Sequence, residues 1–174
     1  MAESTVRRAT VADAEVIANL QIQTWQQAFA ELLPVQVVMT DPLQHKDLWE
    51  TRLRQGGPAL LALEGEEFVG FAAISDRVDD ANLLAPIGEI EVIYVLPRWG
   101  RRGHGGRLLA GAAGELRRLG ATTAQWWIPE SDKATSKFLA AAGWSADGVR
   151  RELDTGAEPL FEVRFSGGTD LVAV

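Results

Sequence analysis

The feature that most constrains the fold is an apolar strand that runs directly into a glycine-rich, basic turn and then into a helix. Residues 90–96 are apolar or aromatic at every position except Glu91 and include several β-branched side chains, a pattern typical of a strand covered on both faces. Pro97 ends this strand because proline has no N–H for the next hydrogen bond of a sheet. Four glycines follow within residues 100–106, and the two leucines after them begin a helical spacing. The sequence therefore predicts a helix packed on the sheet immediately after the turn.

The turn has the composition of an anion-binding site. Glycines allow a backbone to approach a ligand closely, and the first turn of a helix has unpaired N–H groups at the positive end of its dipole. Arg101, Arg102 and Arg107 add positive charge beside those groups. Because the whole chain carries a formal net charge of -7, this basic cluster stands out from an acidic background and predicts a site for phosphate.

Three other ligand-binding or catalytic motifs do not fit the chain. The dinucleotide-binding pattern G-x-G-x-x-G fails because Leu108 stands where the third glycine would follow Gly103 and Gly105. The P-loop pattern G-x-x-x-x-G-K-[ST] and the nucleophile elbow G-x-S-x-G are absent from the sequence. A dinucleotide-binding protein, a P-loop protein and a serine hydrolase are therefore not favoured.

Length and composition favour one globular domain over residues 1–174. Hydrophobic residues make up 47% of the chain and charged residues 24%, which is ordinary for a protein with a sizeable core. The acidic balance argues against binding to nucleic acid, which depends on surplus lysine and arginine. No signal-like segment and no apolar run of about 18 residues occurs, so we expect no membrane association and a cytoplasmic location.

Residue types that are rare or absent narrow the chemistry further. The chain has no cysteine, which excludes disulfides and thiol nucleophiles and fits a reducing compartment. Its two histidines, His45 and His104, lie far apart in sequence and match no metal-ligand spacing. We therefore expect no metal.

The remaining pattern predicts alternating helices and strands. Thr10 is a candidate N-cap with Asp13 three residues later, and Ser131 is a candidate cap of a later helix. Residues 35–45 are predicted to be irregular, and 76–86 to form a loop. Predicted helices cover 11–30, 47–54, 107–119 and 132–142, and predicted strands cover 5–8, 59–63, 67–74, 90–96, 122–128, 144–150 and 159–165. This order indicates an α/β fold with a mixed sheet.

The stretch 97–109, P-R-W-G-R-R-G-H-G-G-R-L-L, resembles the acyl-coenzyme-A-binding signature of the GNAT family of N-acetyltransferases. In that family a strand ending in proline runs into an (R/Q)-x-x-G-x-(G/A) turn and a long helix. Gly103 and Gly105 fall on the two small positions, whereas Gly100 stands where Arg or Gln is usual and Arg101 where a further Gly is common. The chain's opening, V-R-R-A-T-x-x-D-A followed by T-W-Q-Q-A-F-x-x-L-L-P, and its element order resemble many bacterial members.

The resemblance implies a GNAT acyl-CoA N-acyltransferase fold, with a mixed sheet of six to seven strands and helices on both faces. It implies acetyl-CoA as co-substrate, without a metal, and transfer of acetyl to a primary amine of a small molecule or protein. The pyrophosphate would lie on the turn, and the pantetheine arm in a gap between the central strand and the next. The cofactor-binding residues implied are Ile93, Val95, Arg101, Arg102, Gly103, His104, Gly105, Gly106 and Asp132, the last on a recurrent asparagine position.

Two carboxylates in the central strand are the candidate catalytic bases. Glu89 and Glu91 lie in an otherwise apolar strand, where a carboxylate is costly unless it is paired or used. Glu89 falls on the position of the catalytic glutamate of histone-acetylating relatives. Either side chain could instead face solvent or pair with an arginine, and the proton could leave through water. The N–H of Val95 is the candidate group for polarising the thioester carbonyl.

The proton donor expected from the resemblance is missing. The family commonly uses a tyrosine in the helix after the fifth strand, and Leu139 occupies that position here. Ser136 lies one turn earlier and is a weak substitute, whereas Tyr94, the chain's one tyrosine, is expected to pack. Either water protonates the leaving thiolate, or the protein is a non-catalytic acyl-CoA-binding or regulatory module, which is the alternative to an enzyme.

Aromatic side chains are the candidates for the acceptor site. Trp126 and Trp127 are adjacent in a predicted strand, so they point to opposite faces of the sheet. One is expected in the core, and the other, assigned as Trp127, would line the acceptor pocket together with Trp25. A homodimer through the closing strands would be ordinary for the family.

Overall fold

The computed structural model describes residues 3–75, 86–154 and 158–171. Seven strands in these ranges form one mixed sheet in the order β1-β2-β3-β4-β5-β7-β6. They are β1 Ser4–Arg8, β2 Ala59–Glu64, β3 Glu67–Ile74, β4 Ile87–Val95, β5 Thr123–Pro129, β6 Ser145–Leu153 and β7 Leu160–Gly168. Strands β4 and β5 are parallel, and the other neighbouring pairs are antiparallel. The predicted α/β fold with a mixed sheet is confirmed.

Helices cover both faces of the sheet, as the resemblance to the GNAT family implied. They are α1 Ala14–Ala28, α2 Val35–Val38, α3 Pro42–Arg54, α4 His104–Arg118 and α5 Lys133–Ala141, with 3-10 turns at Val11–Asp13 and Pro97–Trp99. Helices α4 and α5 pack on one core cluster, and α1 and α3 pack on a second cluster across the sheet. No helix in these ranges has the length and apolar character needed to cross a membrane.

Helix α4 is anchored by the leucines that its spacing predicted. Leu108, Leu109 and Leu116 are fully buried, and each contributes about 1.5–3 kcal/mol through burial. Leu116 lies over Gly88 of β4, where an added Cβ would come within 2.6 Å of the leucine side chain. This close packing fixes α4 against the central strand and so fixes the turn that precedes it.

The carboxylate of Asp13 fixes the segment between β1 and α1. Asp13 accepts hydrogen bonds from the N–H and hydroxyl of Thr10, at 2.7 and 3.0 Å, as the predicted cap requires. Arg7 donates to both oxygens of the same carboxylate, at 2.9 and 2.7 Å. These bonds, chiefly that from Arg7, hold the pKa of Asp13 well below its usual range.

Three local predictions were wrong. Residues 35–45 are not irregular, because they contain α2 and the first turn of α3, which begins at Pro42 with Asp41 as its N-cap. Asp132, not Ser131, caps α5, because its carboxylate accepts from the Thr135 N–H at 2.9 Å. Helix α4 begins three residues earlier than predicted, directly after Gly103. Most of the predicted loop, 76–85, lies outside the described residues.

Candidate active site

The two parallel strands diverge at the middle of the sheet. Strand β4 pairs with β5 only from Ile87–Thr123 to Ile90–Trp126, while its later residues stay paired with β3. The N–H of Leu96 donates to Val69 on the β3 side, at 2.9 Å. Successive backbone groups point to alternate sides of a strand, so those of Ile93 and Val95 point into the gap. The gap therefore offers a free strand edge.

A cleft occupies this gap. Its walls run from Ile93 and Val95 on β4, past Gly100 and Gly105 of the turn, to Asp132 at the start of α5. An added Cβ at Gly105 would lie 3.6 Å from the Phe138 ring across the cleft. The cleft is thus a channel that joins the strand edge to the first turn of α4.

The turn reaches α4 through two residues in the left-handed region. Gly103 has φ 83°, and Arg101 has φ 61°, the one non-glycine residue with positive φ among those described. Arg101 stands where the resembled signature commonly has a glycine, and its positive φ is a conformation that is unfavourable for a non-glycine residue. Arg102 stacks on the Trp99 ring, with its guanidinium carbon 4.7 Å from the ring centroid. Arg107 donates to the Arg102 carbonyl at 3.1 Å.

His104 begins α4, but its side chain lies away from the cleft. The imidazole is almost completely buried, meets the Trp99 ring edge-on, and has Nε2 3.2 Å from a Glu64 carboxylate oxygen. That contact lacks hydrogen-bond geometry, and neither ring nitrogen has a hydrogen-bond partner. Burial lowers the pKa of His104. Only its backbone N–H remains available to a ligand on the turn.

A second pocket continues from the cleft beyond the strand ends. The two share the side chains of Phe29, Ile93, Tyr94, Trp126, Asp132 and Thr135. The second pocket adds Leu32 and Leu33 after α1, Glu91 on β4, and Glu162 on β7. It is a mainly apolar chamber with carboxylates in its wall, next to the place where the cleft ends.

The aromatic candidates have different surroundings. Trp126 is buried in the core and also lines both pockets, whereas Trp127 lines only the second pocket, with the Arg151 guanidinium 4.2 Å from its ring centroid. Their opposite orientations agree with strand alternation. Trp25 is not part of either wall; its indole N–H donates to the Tyr94 hydroxyl at 3.2 Å. Trp25 therefore supports the site from behind.

Glu91 lies at a bulge in β4 and is one of the residues that line the second pocket. Val92 pairs with Ala73, and Ile90 pairs with the next residue of β3, which leaves Glu91 as an extra residue. Arg52 of α3 donates to both Glu91 oxygens, at 2.8 and 3.1 Å. Glu91 is thus a paired carboxylate at the pocket wall.

Glu89 lies on the same strand but outside the two pockets. Its carboxylate accepts a hydrogen bond from Gln125 of β5 at 2.9 Å, in the segment where β4 and β5 are still paired. Glu162, which the sequence reasoning missed, is 9% exposed and accepts from Arg151 at 2.6 Å. The alternation of strand 159–165 could have placed Glu162 on a face, but not beside this pocket.

A shallower groove lies between α1, α3 and β4 and shares Glu91 and Tyr94 with the second pocket. Its wall includes His45, Trp49 and Glu91. Oε1 of Gln21 accepts from the Trp49 indole at 2.8 Å and lies 2.7 Å from His45 Nε2. Because this oxygen only accepts, His45 carries its proton on Nε2. Burial lowers the pKa of His45 and favours its neutral ring.

Residues 20–144 match the acetyltransferase (GNAT) family. An aminoglycoside N(6')-acetyltransferase type 1 from Stenotrophomonas maltophilia is 35% identical over 109 residues. That alignment covers 61% of this chain and 63% of the relative, so the chain spans less than two thirds of that protein's length.

Solved structures share the fold along nearly the whole chain. A ribosomal-protein-alanine N-acetyltransferase from Brucella melitensis has a TM-score of 0.73 at 20% identity, over 94% of this chain and 99% of that one. The paia N-acetyltransferase from Thermoplasma acidophilum, in complex with coenzyme A, has a TM-score of 0.70 at 13% identity, over 95% and 99%. The match to the family covers most of the sequence and the architecture agrees with it, so this chain belongs to the GNAT family of acetyltransferases.

Proposed function

We propose that the protein transfers the acetyl group of acetyl-CoA to a primary amine. The observation that carries this proposal is the divergence of β4 from β5 directly beside the turn that begins α4. A free strand edge suits the peptide-like amides of a pantetheine arm, and the first turn of a helix suits its pyrophosphate. Both features lie on one continuous cleft, which ends at a chamber for a second substrate.

The cofactor would be held mainly by backbone groups. Ile93 and Val95 would pair with the pantetheine amides, and the N–H of Val95 would polarise the thioester carbonyl. The segment 101–106 would bind the pyrophosphate through its N–H groups, with Arg101 and Arg102 supplying charge. Asp132 would act at the far wall by fixing the first turn of α5.

The acceptor amine would lie in the second pocket, against Trp127 and Glu91. An ammonium cannot attack a carbonyl, so a carboxylate or a water molecule must remove a proton first. Glu91 is the base that we favour because it lines that pocket, and Glu89 would act only through water. Holding the amine and thioester in contact supplies much of the rate by itself.

The proposal is tested first by binding and then by turnover. Calorimetry should show binding of acetyl-CoA and CoA, whereas NAD should give no heat beyond dilution. Thiol release from acetyl-CoA should then occur with at least one amine in a panel of aminoglycosides, polyamines and peptides with a free N-terminal alanine. Absence of CoA binding would overturn the proposal. Binding without thiol release across the panel would instead favour the non-catalytic module.

The choice of base gives a separate prediction. Glu91→Gln should lower kcat by about 10²-fold, because the amide cannot take a proton. Glu89→Gln is the matched control on the same strand and should retain the wild-type kcat. If only Glu89→Gln lowers kcat, the assignment passes to Glu89; if neither does, water carries the proton.

The acceptor's identity and the assembly belong to the proposal as well. The names of the relatives suggest two acceptor classes, aminoglycosides and an alanine of a ribosomal protein. The acceptor pocket is mainly apolar, and Arg52 and Arg151 pair with two of its carboxylates. We therefore favour a compact amine of low charge. A cytoplasmic location and a homodimer through β6 and β7 stay predictions.

A further inference from the structure

We infer that Tyr94 donates the proton that the leaving thiolate of coenzyme A requires. The inference rests on the proposed function and assigns a residue to a step that the chain leaves open. Leu139, at the position where the family commonly has a tyrosine, is completely buried in the core and lines neither the cleft nor the second pocket. The chain contains one tyrosine.

Tyr94 lies where the two substrates must meet. Tyr94 is one of the residues that line both the cofactor cleft and the second pocket, and it also lines the groove beside α3. It lies on β4 between Ile93 and Val95, whose backbone groups face the gap. Phe29 and Phe71 pack against its ring, with centroids 5.5 and 5.7 Å away, and hold it in place.

The hydroxyl is oriented by Trp25. An indole N–H can only donate, so the Tyr94 oxygen accepts this bond and keeps its own proton for another partner. Among the described residues no side chain or carbonyl accepts that proton. Burial raises the pKa of Tyr94, although the Trp25 bond opposes the shift. The phenol is therefore protonated at neutral pH and available as a donor.

The step balances without another reactant. The neutral amine attacks the thioester carbon, the C–N bond forms, and the C–S bond breaks with its electron pair on sulfur. Sulfur takes the proton from the Tyr94 hydroxyl. The phenolate, stabilised by the Trp25 N–H, then takes up through solvent the proton that the new amide nitrogen releases. The products are the acetylated amine and the CoA thiol, and the phenol is restored.

The test uses the complex of the full chain with CoA, which needs no acceptor. The ultraviolet absorbance of the thiolate reports the titration of the bound thiol. A donor beside sulfur stabilises the thiolate, so this thiol should titrate about one pH unit lower in the wild type than in Tyr94→Phe. The affinity for acetyl-CoA should stay unchanged. With a reactive amine, kcat of Tyr94→Phe should fall by about 10²-fold.

Trp25→Phe is a second variant, which keeps the Tyr94 hydroxyl but removes the indole N–H that donates to it. Its bound thiol should titrate between those of the wild type and Tyr94→Phe, which keeps the inference testable if Tyr94→Phe does not fold. Superimposable titrations in the wild type and both variants would overturn the inference while leaving the proposed function intact. Failure of the wild type to bind CoA would overturn both, and calorimetry distinguishes the two cases.

Discussion

At the scale of single residues, Arg101 is a side chain in a backbone conformation that suits glycine. Its φ of 61° lies in the left-handed region, which costs a non-glycine residue about 1–2 kcal/mol. Arg101→Gly should therefore raise the free energy of unfolding by about 0.5–1 kcal/mol, because part of this gain is offset by the entropy of the glycine in the unfolded chain. Urea unfolding measures the change.

Arg102→Gly is the matched control for that variant. This substitution also removes one positive charge from the turn, but the φ of Arg102 is not in the left-handed region. This control should lose stability, because the stacking on Trp99 is lost and no strain is relieved. Equal changes in the two variants would contradict the idea that Arg101 is strained.

His104 makes stability depend on pH in a predictable direction. Burial lowers its pKa in the folded state, so the unfolded chain binds a proton first as pH falls. The contribution of neutral His104 to the free energy of unfolding is complete above the unfolded pKa of about 6.5. It is lost as the pH decreases towards the lower pKa of the folded state. Arg102 and Arg107 reinforce the shift, whereas Glu64 opposes it.

His104→Leu should flatten the dependence of the unfolding free energy on pH below about 6.5, because the leucine cannot titrate. Urea unfolding at a series of pH values measures this slope. Asp13→Asn is the contrasting variant. The folded pKa of Asp13 is lowered, so its contribution is present above about 3.9 and is lost only at more acidic pH. An unchanged slope in His104→Leu would contradict the assignment.

At the scale of elements, substitutions of two helix N-caps should distinguish a loss of stability from a loss of cofactor binding. Asp132 accepts the Thr135 N–H and hydroxyl, at 2.9 and 2.7 Å, and α5 forms a wall of the cleft. Asp132→Ala should lower stability by about 1 kcal/mol and also weaken acetyl-CoA binding, because the first turn of α5 frays. Asp41→Ala removes the cap of α3. It should lower stability similarly, with acetyl-CoA binding unchanged in calorimetry.

Elements with local chemical signals could be predicted from the sequence. Pro97 ends the central strand, and the leucine spacing gives the buried face of α4, although the start of that helix at His104 was missed. The start of α3 was missed although an aspartate followed by proline is itself a helix-start signal. The cofactor cleft was anticipated from the resemblance to the family, because its motif is contiguous in sequence.

The acceptor side could not be predicted in the same way. Arg52 and Glu91 are 39 positions apart in sequence, and they meet only because of where α3 crosses β4. The bulge at Glu91 depends on the register between β3 and β4, which a single strand's pattern does not contain. The positions of Glu162 and Arg151 likewise follow from the pairing of β6 with β7.

At the scale of the whole molecule, the shortest strand pairing of the described sheet lies at its centre. Strands β4 and β5 share four residue pairs, fewer than any other neighbouring pair in the described sheet. A cofactor lying in the gap would contact both β4 and β5. Because acetyl-CoA would bind only the folded protein, one hundred times its Kd should raise the free energy of unfolding by about 2.7 kcal/mol.

Hydrogen exchange should locate that stabilisation. Amides of β4 beyond Ile90 and of the first turn of α4 should become protected with acetyl-CoA, while those of β1 should change only with global stability. NAD at the same concentration is the control and should produce neither effect. Stabilisation without added protection at the β4 edge would place the ligand elsewhere on the protein.

The free edge of β4 also bears on how this protein can diversify. Main-chain atoms are common to every residue type, so a cofactor gripped by them tolerates almost any sequence around it. The side chains at 91, 127 and 162 are then free to change with the amine. Re-engineering the acceptor preference should need substitutions only in that chamber, and the chemistry of the donor would carry over intact to each new substrate.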